Sequence, residues 1–172
     1  MIGAGSKIAQ AIIHTLLNRT GDLHVIAVSR QSTEDLNDRL QWVQSEYDEQ
    51  SIAEFCGQLK QLKSIVLENV FICNGILHDG SLMPERSLAD FQVANYLQVH
   101  QVNTLVPILW LKHLKPLFKR ESKCLVTVFS ARIGSIDDNE RGACDGTSLS
   151  DLERAVSAAS LGLDLSLARA SR

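Results

Sequence analysis

Three short strings in this chain hold residues suited to binding chemistry. Gly3-Ala4-Gly5-Ser6-Lys7-Ile8-Ala9 sets a glycine-rich turn directly ahead of an apolar segment of helical period. Such a turn leaves the first N–H groups of the helix open, and with the helix dipole they attract an anion, typically a pyrophosphate. Ser29-Arg30 closes the next apolar run, where an acid would accept a ribose 2′-hydroxyl and a cation would accommodate a 2′-phosphate. Arg30, with Lys7 as a second cation beside the turn, therefore favours NADP over NAD. Taken alone, Gly-Ala-Gly is equally an ordinary strand-to-helix turn, and the lesser alternative for Arg30 and Lys7 is two solvated surface cations. Asn74-Gly75 and Ser130 each end a further apolar run.

These positions meet only if strands alternate with helices. Ile8, Ile12 and Leu16 lie on one helical face with Ile13 and Leu17 beside it, and residues 18–21 end that helix. Residues 23–29 form a β-branched run of strand length, residues 40–43 read as a short strand, and Ile52, Phe55, Leu59 and Leu62 have helical spacing. Residues 69–73 and 124–129 are nearly continuous in apolar character, as strands covered on both faces are. Between them one long helix is predicted over 88–118, with a kink at Pro107. Leu149, Leu152, Val156, Ala159, Leu163 and Leu167 step by three and four along a final amphipathic helix. The pattern predicts an α/β fold: a Rossmann-like, doubly wound parallel sheet in three α/β/α layers, as one domain over 1–172. Ligands of such sheets bind outside the carboxyl ends of the strands, so the turn, Arg30, Asn74 and Ser130 are expected along one rim.

Composition excludes several alternatives. In 172 residues, 17 Lys plus Arg face 20 Asp plus Glu, a net charge of −3, so no global positive field exists to hold nucleic acid or an anionic membrane. No apolar run approaches the ~18 residues of a membrane helix. Cys56, Cys73, Cys124 and Cys144 form no Cys-x-x-Cys and read as reduced thiols, which with the absence of a recognisable signal peptide suggests a cytoplasmic protein. The 5 histidines show no metal-ligand spacing, and Ser130 lacks the Gly-x-Ser-x-Gly elbow of a hydrolase.

In order and spacing, the Gly3–Ala9 string, then Cys73-Asn74-Gly75, then Val102-Asn103-Thr104, then Phe129-Ser130-Ala131-Arg132-Ile133-Gly134-Ser135-Ile136 resemble the short-chain dehydrogenase/reductase family, and the last string its C-factor-like branch. The resemblance spans residues 3 to about 142. It implies an NADP-dependent oxidoreductase class, a small carbonyl or alcohol substrate, and cofactor contacts at Gly3, Gly5, Ser6, Lys7, Ile8, Arg30, Asn74 and Gly75. Of the family's glycine turn, Gly3 matches the first glycine, while Lys7 and Ala9 replace the other two. Of the family's catalytic group, Asn103 matches the helix asparagine and Ser130 the serine after the fifth strand. Aligning the final helix by its Leu165–Arg169 end puts Leu149 at the tyrosine position and Glu153 at the lysine position. Neither can serve as the acid, or as the cation that lowers the acid's pKa. The only tyrosines are Tyr47 and Tyr96; Tyr96 lies roughly 10 Å from Asn103 along a helix rising ~1.5 Å per residue, and Tyr47 falls in the region the family uses near adenine.

The family begins with a full strand before its glycine turn and continues past the final helix with two more strands. Here Met1 and Ile2 alone precede Gly3, so the sheet is expected to be incomplete at both ends. The resulting expectation is a short-chain dehydrogenase/reductase homologue whose activity is lost. Its rivals are a nucleotide-binding pseudoenzyme acting through dimer or partner association, by the long helix and the final helix, and a non-functional fragment.

Overall fold

Ile2 occupies the middle of the sheet almost without a strand around it. Its N–H donates to the Phe71 carbonyl (2.8 Å), its carbonyl accepts from Cys73 N–H (2.9 Å), and Val28 N–H donates to the Met1 carbonyl (2.8 Å). Parallel bridges thus join Ile2 to Val28 on one side and to Ile72 on the other. The computed structural model describes residues 1–19, 21–31, 37–62, 64–76, 82, 88–119 and 122–129. They divide between two compact units: Met1–Asn74 with Leu109–Phe129, and a second unit described within Gly75–Ile108.

In the first unit, β1 (Val25–Ser29) pairs in parallel with β2 (Leu40–Gln44), Val25 opposite Leu40. Likewise β3 (Asn69–Ile72) pairs in parallel with β4 (Leu125–Val128), Asn69 opposite Leu125. With Ile2 between the two pairs, the order across the sheet is β2, β1, Ile2, β3, β4. The chain steps outward through β1 and β2, then crosses back to β3, so the winding reverses between Ile2 and β3. Right-handed crossovers place α1 (Lys7–Leu17) on one face, and α2 (Glu49–Gln61) with residues 109–114 on the other. This is the expected doubly wound, three-layer arrangement.

Packing agrees. Ala4, Ile13, Val25 and Ala27 form a buried cluster, with Met1, Leu16, Leu17, Leu40 and Trp42 against it. On the other face the Phe55 ring meets the fully buried Trp110 edge-on at 5.6 Å, and Ile52, Cys56, Leu59 and Leu114 are buried. Glu49 pairs with Lys112 and with His113 (3.3 Å), joining the start of α2 to the end of the helix beside it.

Local signals set the helix limits. The Ser6 side chain caps α1 by accepting from Ala9 N–H (3.2 Å), and Asp48 caps α2 by accepting from Ser51 N–H (2.7 Å). At the other end of α1 the Arg39 guanidinium donates to the carbonyls of Leu17, Arg19 and Gly21, a cation on the negative end of the helix dipole. The buried face of α1 runs through Ala9 and Ile13, and Ile8 stays 54% exposed, which corrects the face expected through Ile8. A buried alanine lets the helix approach the sheet more closely than an isoleucine there would allow.

Two further expectations are corrected. The helix over 88–118 is broken into a 3₁₀ turn (Leu88–Asp90), α3 (Val93–His100), a π-helical turn (Gln101–Leu105), α4 (Val106–Leu114) and a second 3₁₀ turn (Lys115–Leu117). Pro107 has no N–H to offer the Asn103 carbonyl, and Val106 N–H reaches five residues back to the Gln101 carbonyl, the widened π pattern. The strand over 124–129 is less covered than its composition suggests, since Leu125 is 62% exposed; among the described residues β4 has β3 as its one strand neighbour, the edge position that an incomplete sheet implies. In the second unit Leu82 and Val99 form a small buried cluster with Ile76 against it.

Candidate functional site

The reversal of winding between Ile2 and β3 is where an open α/β sheet leaves a crevice, and the glycine turn sits at it. Gly3 has φ +74°, and a Cβ there would lie 2.5 Å from Asn74 N and 2.7 Å from the Cys73 carbonyl carbon. The turn therefore closes directly on the carboxyl end of β3, possible only without a side chain. Two further bonds shape it: Ala4 N–H donates to the Val28 carbonyl (3.0 Å), and Ser6 N–H to the Gly3 carbonyl (3.0 Å). The Ser6 side chain and carbonyl take the N–H groups of Ala9 and Gln10. Among the described residues, nothing accepts from the N–H groups of Gly5, Lys7 and Ile8, three donors at the positive end of α1 on exposed residues.

Arg30 lies beside this turn. A Cβ on Gly5 would stand 3.4 Å from Ser29 Oγ, so the turn abuts the end of β1, where the exposed Arg30 follows. The backbone there is pinned: Ser29 Oγ accepts from Gln31 N–H (3.2 Å), and the Arg30 carbonyl accepts from Gln44 Nε2 (3.2 Å). In the first unit Gly3, Gly5, Ser6, Lys7, Ile8, Arg30 and Asn74 thus lie in the glycine turn or at the strand ends that it abuts. Lys7 is exposed.

Sequence reasoning missed Tyr47 here. Its hydroxyl accepts from Gly3 N–H (2.9 Å) and donates to the Val28 carbonyl (2.9 Å). Burial raises the Tyr47 pKa above the ordinary phenol value, against smaller lowering by the Gly3 N–H and the Arg30 charge, so the hydroxyl keeps the proton it donates. No local signal marks the contact, because 44 positions separate the two residues.

Gly75 and Asn103 meet in the second unit: Asn103 Oδ1 accepts from Ile76 N–H (2.8 Å) and Nδ2 donates to the Ile76 carbonyl (2.9 Å). A Cβ on Gly75 would touch Asn103 Oδ1 at 3.6 Å. The side-chain amide is thus committed to backbone, and the π turn presents it there. Ser130, Leu149, Glu153 and the final helix fall outside the described residues. Among the described residues no cluster of three His, Cys, Asp or Glu is placed to hold a metal ion, and no helix is long and apolar enough to cross a membrane.

Solved structures with this architecture include a short-chain dehydrogenase/reductase from Burkholderia multivorans with bound NADP: TM-score 0.80 and 20% identity over 98% of this chain and 72% of that one. The fold is that of the short-chain dehydrogenases/reductases. The carbonyl reductase Sniffer of Drosophila melanogaster matches with TM-score 0.80 and 20% identity, over 95% of this chain and 73% of its own. A carbonyl reductase from Pseudomonas aeruginosa PAO1 in complex with NADP matches with TM-score 0.76 and 17% identity, over 95% and 70%. No family model and no curated protein matches the sequence.

Proposed function

We propose that the first unit binds NADP(H), and that the chain is a member of the short-chain dehydrogenase/reductase family in which nucleotide binding outlasts turnover. The observation that carries this reading is the trio of N–H groups on Gly5, Lys7 and Ile8, without an acceptor among the described residues, at the reversal of the sheet. Three oriented donors on a helix N-terminus fit a pyrophosphate. Gly3 supports the fit, since its missing side chain lets turn and β3 close together. Arg30 would hold the 2′-phosphate, and the Lys7 ammonium adds charge beside the pyrophosphate. Asn74, against Gly3, would back the cofactor.

NADPH, when bound, supplies a hydride. On the substrate side, Ser130 would donate a hydrogen bond to a carbonyl oxygen. Asn103 acts on the Ile76 backbone through one bond of its amide oxygen and one of its amide nitrogen. The positions that the resemblance gives to the family's tyrosine and lysine hold Leu149 and Glu153, which supply neither that proton nor that cation, and loss of a positioned acid costs ~10²–10⁴ in rate.

Parallel calorimetric titrations of the full chain with NADPH and NADH test this reading. NADPH is expected to bind more tightly, and Arg30→Ala to remove about tenfold of that preference, the scale of one charge-assisted hydrogen bond at an exposed site. Equal indifference to both cofactors refutes the reading. Binding without reduction of carbonyl substrates selects the nucleotide-binding protein that acts through association.

A further inference from the structure

We infer that Tyr47 is the positioning residue of the nucleotide turn, holding the Gly5, Lys7 and Ile8 donors in the geometry a pyrophosphate requires; this rests on the NADP(H) reading above. The hydroxyl closes a ring of hydrogen bonds. Gly3 N–H donates to Tyr47 Oη, Tyr47 O–H donates to the Val28 carbonyl, and that same carbonyl accepts from Ala4 N–H. One phenol therefore ties the first residue of the turn to the end of β1. The Gly3 carbonyl in turn takes Ser6 N–H, and Ser6 caps α1, so a displacement of Gly3 is passed to the helix start where the open donors lie.

The tyrosine is itself held from three sides. Its backbone adopts φ +63°, where a residue with a side chain is strained, and it is the one non-glycine residue found there among those described. Ser45 Oγ accepts from Tyr47 N–H (3.2 Å) and meets Ser51 Oγ (3.0 Å), inside the loop that Asp48 caps onto α2. The ring stands edge-on to Trp110 at 6.1 Å. A strained backbone braced this way, with both hydroxyl bonds spent on the glycine turn and the strand beside it, is an arrangement for fixing that turn.

Tyr47→Phe keeps the ring and removes the hydroxyl. In the full chain this variant should bind NADP(H) about fivefold to twentyfold more weakly while adenosine 2′-phosphate, which carries no pyrophosphate, changes by less than about twofold; one buried donor left without its acceptor is an effect of this size. Amide exchange at Gly3 should accelerate. Unchanged NADP(H) affinity overturns the inference, and so does equal weakening of both ligands, which marks a general loosening of the unit. Should the variant fail to fold, wild-type chain labelled with 3-fluorotyrosine, its two resonances assigned with Tyr96→Phe, replaces it. The Tyr47 resonance must move on saturation with NADP, and a static signal overturns the proposal. Failure of wild-type chain to bind NADP(H) removes the nucleotide reading and this one together, whereas wild-type binding with an indifferent Tyr47→Phe removes the tyrosine alone.

Discussion

Substituting alanine at three glycines separates close approach from backbone strain. At Gly3 both act: φ is +74°, and the new Cβ would sit 2.5 Å from Asn74 N, 2.7 Å from the Cys73 carbonyl carbon and 2.9 Å from Asn74 Cα. All three are backbone atoms, so no side chain can swing aside. The left-handed conformation costs alanine about 1–2 kcal/mol, and forcing the strand end away about 1–3 kcal/mol more, giving a loss of about 2–5 kcal/mol. Gly21 has φ +132° but nothing within 4 Å of an added Cβ, so Gly21→Ala should show the backbone term alone, about 1–2 kcal/mol. Gly57, exposed in α2 with equally open space, should gain about 0.5–1 kcal/mol as alanine, because a helical glycine gives up more conformational freedom. Urea unfolding followed by tryptophan fluorescence suits the series, since the only tryptophans, Trp42 and Trp110, both lie in the first unit. A Gly3→Ala loss below about 1 kcal/mol, or no larger than that of Gly21→Ala, would refute the close approach of turn and β3.

Two other outcomes follow from buried polar groups. In a chain whose first residue is Met1, the terminal ammonium donates to the Ile26 carbonyl (2.8 Å), yet burial lowers its pKa to about 6, with the neighbouring Cys73 pulling weakly the other way. Between pH 6 and 8 the unfolded chain binds the proton and the folded chain does not, so stability should rise with pH by about 2–3 kcal/mol across that window and level off above it; a flat profile in urea melts at pH 5.5 to 8.5, or one unaltered by acetylating the terminus, contradicts this. Asn103→Ala removes both bonds to the Ile76 backbone and should destabilise the second unit by about 1–3 kcal/mol, with faster amide exchange at Ile76 as the specific readout. Exchange there unaffected by the substitution would mean that the clamp does not hold in solution.

The alternation of strands and helices was legible because each buried run has the length and period of its element. β1 and β3 are β-branched or continuously apolar. The rotation of α1 was not legible, since Ile8 and Ala9 both continue an apolar face and only the distance to the sheet chooses between them. The break in the segment 88–118 was half visible: Pro107 marked a kink, but the π turn depends on which carbonyl Val106 reaches. β4 reads like a fully covered strand because its composition says nothing about how many neighbours it has.

By itself, the sequence determined the fold class, the glycine turn ahead of α1, and the cation after β1, all of which depend on neighbours within a few residues. Only the tertiary structure decided that Gly3 would press on Asn74 and that Tyr47 would bond to Gly3. Those outcomes rest on hydrogen bonds and steric contacts between residues more than 20 positions apart. Such contacts leave no periodic trace along the chain, because any of several polar or small residues could make them until the sheet brings one particular pair together.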